Sequence, residues 1–255
     1  MLVLTWNIQK QVRKAEAIAT AIATLEPDIV TLQEVRQSAI ATLENHLARV
    51  GLVHALPSLE GGKGNLVVSR WPLHAHAPGW AGAPPALPFP ELLTGAFVDT
   101  PPGQLELITA HMPNGSGHGE KKVAHFRALA AYLRARTPGP CVVTGDFNSP
   151  QSESEDGVVV CFGGKFKNRG QAWEDAEQAI ITGMATFGMR DVFREKHGYA
   201  GAAGAAYSHE TRTHRRRFDH IFASQGLMAT DIQYEMSWLE RELSDHAALW
   251  ARFAW

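Results

Sequence analysis

Short apolar runs punctuate the chain at Leu2 to Trp6, Asp28 to Gln33, Asn65 to Ser69, Leu93 to Asp99, Gln104 to His111 and Cys141 to Gly145. Three more follow at Phe218 to Ala223, Thr230 to Met236 and Ala247 to Phe253. Each is too short for a buried helix and rich in strand formers, so each predicts a strand. Between them apolar residues recur at helical spacing. Val12, Ala15, Ala19 and Ile22 predict a helix over Gln11 to Leu25, stopped by Pro27, which disfavours helix in the residue before it. Ser38 to Val50 reads as a second helix with Ser38 as N-cap and Gly51 past its end. Lys121 to Arg136 and Ala172 to Phe187 read as two more. Thr100-Pro101-Pro102-Gly103 has hairpin-turn chemistry, Gly61 to Gly64 is a Gly-rich turn, and Trp71 to Pro90 and Ser149 to Gln171 are long loops. No repeat and no linker of changed composition interrupts the alternation of strands and helices. The pattern predicts one α/β domain, residues 1–255, with helices packed outside a sheet-rich body.

Composition narrows the partners. With 45% hydrophobic and 20% charged residues, the chain is neither disordered nor a coiled coil. Its 24 Lys and Arg against 26 Asp and Glu give a net charge of -2, so there is no global attraction for polyanions and any nucleic-acid surface is local. Cys141 and Cys161 form no paired spacing, which excludes a disulfide scaffold and a structural zinc site and predicts two small packed side chains. MLVLTWNIQK has no basic leader or long apolar core, and no run approaches the ~18 apolar residues of a membrane span. The expectation is a cytoplasmic protein with no membrane association and no obligate protein partner.

Polar residues at the ends of apolar strands carry the chemistry. Asn7 ends the first strand, Gln33-Glu34 the second, His111 and Asn114 follow the strand before the third helix, and Asp146 and Asn148 follow Cys141 to Gly145. Asp219 and His220 interrupt a late apolar run, and Asp245-His246 precedes the last strand. Singly, an Asn or Asp after a strand is a turn former, and a His beside an Asp is an ordinary polar pair. Repeated at strand ends along the whole chain, they exceed what turns need, and rigid strand ends can present side chains to one cleft. Such a set suits attack of water on a phosphate ester. A carboxylate such as Glu34 is a hard oxygen ligand for Mg²⁺ or Mn²⁺. A His held by an Asp can donate to a phosphate oxygen, while a second Asp oriented by an Asn can take a proton from water.

TWNIQ (Thr5 to Gln9), PDIVTLQEV (Pro27 to Val35), GDFNSP (Gly145 to Pro150), RRFDHIFAS (Arg216 to Ser224) and LSDHAAL (Leu243 to Leu249) resemble the ordered motifs of the endonuclease/exonuclease/phosphatase superfamily. The resemblance runs from the first strand to the last. It implies a four-layer α/β/β/α sandwich of two mixed sheets flanked by helices, with the active site at one edge. Glu34 then resembles the metal carboxylate, Asp245 a further metal-linked acid and Asn7 the amide beside metal and phosphate. Asp146 resembles the residue that orients or deprotonates water, with Asn148 beside it. His246 resembles the phosphate-binding histidine, and Asp219 the carboxylate that holds it. AHMPNGSGHGEKKVAHFRALAAYL (Ala110 to Leu133) is similar to the exonuclease III and apurinic/apyrimidinic endonuclease branch, which implies a phosphate contact by Asn114 and a DNA substrate. That branch often has Tyr where His111 stands, Asp in place of Gln9 and Trp in place of Arg216.

A local basic surface is the remaining requirement. Arg212, His214, Arg215, Arg216 and Arg217 precede Asp219, and Arg can fix phosphates bidentately; Arg216 and Arg217 are the expected contacts. Lys121, Lys122, Lys165, Lys167 and Arg169 extend this track if their loops turn to the same cleft. Trp71, Trp80 and Phe89 either stack on bases or pin the Pro-rich loop, and Trp250, Phe253 and Trp255 read as packing. The resulting expectation is a Mg²⁺- or Mn²⁺-dependent phosphodiesterase acting on nucleic acid, a DNA endonuclease or 3′-exonuclease. An RNA or nucleotide phosphodiesterase, a lipid or inositol phosphatase, and a non-catalytic binding module remain alternatives.

Overall fold

The computed structural model describes residues 1–76, 87–165, 169–203 and 206–254. Two six-stranded mixed sheets form its centre. The first runs, edge to edge, Met228–Glu235, Ala248–Ala254, Leu2–Asn7, Ile29–Arg36, Lys63–Ser69 and His54–Glu60. The second runs Met189–Asp191, Asp219–Ser224, Cys141–Asp146, Gly103–His111, Leu93–Thr100 and Leu73–Ala75. Each sheet has one parallel pair near its middle, Leu2–Asn7 with Ile29–Arg36 and Gly103–His111 with Cys141–Asp146, and is otherwise antiparallel.

Strand alternation explains the layering. Leu2, Leu4 and Trp6 pack with Val30 and Leu32 against the helices Ala15–Ala23 and Gln37–Ala48. Cys141 and Val143 pack against Glu120–Ala135 and Gln171–Ile181 on the far side of the other sheet. The odd-numbered partners Val3 and Ile29, with Leu107, Val142 and Ile221, fill the space between the sheets. The result is the four-layer α/β/β/α sandwich. Toward one edge that apolar filling becomes polar: the Thr31 and Thr144 hydroxyls meet at 2.9 Å, and Gln33 Nε2 donates to Thr109 Oγ1 at 2.9 Å.

Several boundaries differ from the sequence reading. Gln9 and Lys10 have positive φ and turn the chain after the first strand, so the first helix begins at Ala15. The second strand continues to Arg36 and passes straight into a helix at Gln37, leaving no capping role for Ser38. His54–Glu60 is a strand that the sequence reading omitted, because Pro57 and half-exposed side chains hide an edge strand. The fourth helix ends at Ile181, with a 3₁₀ turn at Met184–Phe187 beyond Gly183. Val192–His197 is a further helix, capped by Asp191, whose Oδ1 accepts from the backbone N–H groups of Phe193 and Arg194 at 3.1 Å. Cys141 and Cys161 are buried and free. Among the described residues no helix is long and apolar enough to cross a membrane.

Candidate active site

The polar edge of the sandwich gathers the strand-end residues. Leu2–Asn7, Ile29–Arg36, Gly103–His111 and Cys141–Asp146 reach it with their C-terminal ends, and Asp219–Ser224 begins there because it runs antiparallel to Cys141–Asp146. Asp146 is in register with both His111 and Asp219. Gly145 makes this approach possible: at φ 131°, a Cβ would lie 1.9 Å from the Ala110 carbonyl oxygen. Glu34 reaches the edge by another device. The pairing with Lys63–Ser69 shifts register between Leu32 and Val35, and Glu34 sits in this bulge with φ 56°, a left-handed conformation that costs about 1–3 kcal/mol and persists where surrounding structure enforces it.

Asp146 is the centre of the arrangement and is 1% exposed. Its Oδ2 accepts from Asn7 Nδ2 at 2.9 Å, and its Oδ1 accepts from the Asn148 backbone N–H at 2.8 Å. His111 Nε2 and His246 Nε2 each stand 3.8 Å from Oδ2. Burial, with Asp219 nearby, raises the Asp146 pKa above the ordinary aspartate value, against the pull of His246 and His111. Asn148 also has positive φ, and its Nδ2 donates to the Met112 carbonyl at 2.9 Å.

His246 is held from behind. Its Nδ1 lies 2.7 Å from Asp219 Oδ2, which directs Nε2 toward Asp146. Asp219 is itself fixed: its N–H donates to Ser208 Oγ at 2.9 Å, and its carbonyl accepts from the Tyr234 hydroxyl at 2.6 Å. Burial alone would lower the His246 pKa, but Asp219 and Asp146 push it up to about 10, so the ring is an imidazolium at neutral pH. It is a charge-assisted donor facing a buried carboxylate, an arrangement that can serve an ester of phosphoric acid.

Glu34, His111, Asp146, Asn148, Asp245 and His246 line one cavity of about 240 Å³. Glu34 Oε1 lies 3.4 Å from Asn7 Nδ2 and 3.6 Å from His111 Nε2, while Lys10 Nζ pairs with Oε2 at 2.6 Å. Burial would raise the Glu34 pKa, but His111 and Lys10 hold it below the ordinary value, so this carboxylate stays charged. Asp245 accepts from Gln9 Nε2 at 2.8 Å. Among the described residues, Asp146, Asp219 and His246 bring their ligand atoms within 4.8 Å of one another, as do His209, Asp245 and His246, and Glu34 belongs to neither group. The cavity's carboxylates, Glu34, Asp146 and Asp245, are of the oxygen type that suits a hard divalent cation.

The other expected residues divide. Asn114 lines the cavity, and its Oδ1 caps the short helix Gly115–His118 by accepting from the Gly117 N–H at 2.7 Å. Arg216 is half-buried over the rings of Phe162 and Phe218 and has no carboxylate partner among the described residues. Arg217 corrects the sequence reading: it is 2% exposed, and its guanidinium donates to Glu153 and Asp191 inside the molecule, so it is no surface phosphate contact. Lys122 is likewise buried, whereas Lys121 is exposed, with its ammonium over Phe89, a wall residue of the cavity. Trp71 packs against the intersheet core, as Trp250 and Phe253 pack in their own clusters; Trp80, Lys167 and Trp255 lie outside the described residues, as does the side chain of Lys165. His209 is the residue that the sequence reading missed. It lines the cavity, its ring lies 4.7 Å from that of His246 and stacks on Phe218, and its Nε2 is 4.0 Å from Asp245. It sits on a two-residue strand with no periodicity to mark it.

Comparison with known proteins agrees with this fold. The AP endonuclease from Archaeoglobus fulgidus superposes with a TM-score of 0.75 at 21% identity over 100% of both chains. The 3′ phosphatase NExo from Neisseria, bound to a product DNA hairpin, gives 0.72 at 22% identity over 100% of both. TDP2 from D. rerio, complexed with a single-strand DNA product, gives 0.70 at 17% identity over 100% of this chain and 99% of the other. No curated protein matches the sequence. Residues 4–246, which include every side chain of the cavity, match the endonuclease/exonuclease/phosphatase family, and the chain therefore belongs to this family of hydrolases acting on phosphoester bonds.

Proposed function

We propose that this chain is a divalent-metal-dependent phosphodiesterase acting on DNA, an endonuclease or 3′-exonuclease of the exonuclease III type, working as one catalytic domain. The observation that carries this reading is the buried Asp146 carboxylate, fixed by Asn7 and Asn148 and facing the His246 and His111 imidazoles across the cavity that Glu34 lines. Asp146 positions a water molecule and takes its proton as the oxygen attacks phosphorus. The His246 imidazolium, with Asn114 and His111, donates to phosphate oxygens as negative charge builds, while Asn7, expected from the sequence as a phosphate contact, instead spends its amide on Asp146 and Glu34. Glu34 and Asp245 are the residues to hold Mg²⁺ or Mn²⁺. When bound, the ion polarises the phosphate and stabilises the leaving oxygen. DNA is favoured as the substrate because fold neighbours are described with DNA products, because exposed Lys121 lies over the cavity residue Phe89, and because half-buried Arg216 lies over Phe218, on which the cavity residue His209 stacks.

One rival retains the chemistry with an RNA, nucleotide or headgroup phosphoester as substrate. It is favoured by the inward burial of Arg217 and Lys122, which leaves fewer cations for a long polyanion. The deciding experiment compares a labelled duplex bearing an abasic site with intact duplex, single strand, RNA and small phosphoesters, each with Mg²⁺ and with EDTA. Metal-dependent cleavage concentrated on the DNA substrates is expected. Cleavage of RNA or small esters alone gives the rival, and tight nucleic-acid binding without hydrolysis of any ester makes the chain a binding module.

A further inference from the structure

Lys122 is 1% exposed, an unusual place for an ammonium group. Its Nζ donates to the Asn148 carbonyl at 2.8 Å and to Ser149 Oγ at 3.0 Å, and it pairs with Glu177 Oε1 at 2.5 Å. Glu177 is equally buried and completes the cluster: Oε1 accepts from Ser149 Oγ at 2.6 Å and Oε2 from the Gly163 N–H at 2.9 Å. On the other side of the same segment, His220 Nε2 lies 2.9 Å from the Ser149 carbonyl. Lys122, Glu177 and His220 all hold the two residues that follow Phe147, while Glu177 also ties that segment to Gly163, and none of the three side chains lines the cavity. Asn148 in turn holds Asp146 through its backbone N–H. Replacing a buried ion pair with apolar side chains is often neutral for stability, so stability alone does not account for this one. What the pair adds is a hold on the Asn148 carbonyl and the Ser149 hydroxyl, where the chain turns through the left-handed backbone of Asn148.

We propose that Lys122 is a positioning residue: held by Glu177, its ammonium fixes the Asn148–Ser149 segment that orients the Asp146 carboxylate. The proposal rests on the reading of Asp146 as the proton acceptor. It departs from the expectation that this lysine meets DNA, and it assigns the basic helix two tasks, since Lys121 faces outward and Lys122 faces the back of the catalytic loop. A displacement of the acceptor by about an ångström costs about 10²-fold in rate without weakening substrate binding.

The test uses the full chain carrying K122M, K122R, the double change K122M/E177M, and L43A, a core change in the outer helical layer on the opposite sheet. Turnover is measured on bis(p-nitrophenyl) phosphate and on duplex DNA with Mn²⁺, thermal midpoints are recorded, and exchange of the Asn148 amide hydrogen is followed. K122M and the double change are expected to lower kcat by about 10²-fold with KM within about twofold, and to speed Asn148 exchange. K122R restores most of kcat, and L43A loses thermal stability with kcat and Asn148 exchange unchanged. Wild-type kcat and exchange in the double variant overturn the proposal, as does an equal loss of kcat in L43A. If K122M does not fold, the double variant decides. If the wild-type protein hydrolyses no phosphoester, the proposed function fails on its own account, and Asn148 exchange alone then judges the positioning role.

Discussion

Asp146 accepts hydrogen bonds from two amides while buried, so exchanging its charge for an isosteric amide separates catalysis from stability. Asp146→Asn removes the proposed proton acceptor but also the cost of burying a carboxylate whose pKa burial already raises. The expected result is turnover lower by about 10²- to 10⁴-fold with a thermal midpoint near that of the parent protein. His246→Ala is expected to differ. It removes the proposed phosphate donor and strands Asp219, which is 0% exposed, without its cation. Loss of one partner of such a buried pair costs about 3 kcal/mol or more, so His246→Ala should lower both activity and melting temperature. Melting curves run beside steady-state kinetics check both, and undiminished turnover in either variant would remove that residue from the mechanism.

At the level of elements, the strand-end residues were legible because period-two alternation and strand direction place Asn7, His111, Asp146 and Asp219 on the same edge. The pairing of His246 with Asp219, which bridges the two sheets, was an expectation of the family resemblance, carried by the motifs that contain the two residues. What alternation does not encode was not legible. The bulge that aims Glu34 depends on pairing with a strand more than 25 residues away, and the inward turn of Arg217 depends on acids outside its own motif. Arg217 and Arg194 share Glu153, and Asp191 completes the group. Burial would raise the Glu153 pKa, but the two arginines lower it to about 2. A carboxylate whose folded pKa is depressed adds stability above its unfolded value and loses it as pH falls through the folded one. Acid unfolding should therefore steepen between about pH 4.5 and pH 2, with roughly 3 kcal/mol at stake from this group. Glu153→Gln is expected to lower stability at neutral pH and to flatten that acid limb, which urea titrations at a series of pH values will read. An unchanged acid limb would mean that the guanidinium groups do not discriminate its charge.

The charge distribution of the whole molecule limits how it can hold a polyanion. The net charge is -2 and Arg217 and Lys122 are committed to internal acids; among the described residues the cations placed at or beside the cavity are Lys63 and Lys10 on its wall, Lys121 over Phe89, and Arg216 over Phe218, which stacks on His209. Lys10 is already paired with Glu34, which leaves about three such contacts beside the cavity among the described residues. Each neutralised phosphate of duplex DNA adds about -0.9 to the slope of log K against log salt, so the slope should be about -3, far shallower than for a protein that coats DNA with basic side chains. Lys63→Ala and Arg216→Ala should each reduce its magnitude by about 1 and leave the thermal midpoint nearly unchanged. Arg217→Ala acts oppositely: it uncovers Glu153 and Asp191 in the interior and should destabilise the fold without making the slope shallower. Fluorescence anisotropy on a catalytically silent Asp146→Asn background, repeated across salt concentrations, measures all of these. A slope steeper than about -6 would mean that polyanion binding spreads well beyond this edge of the sandwich.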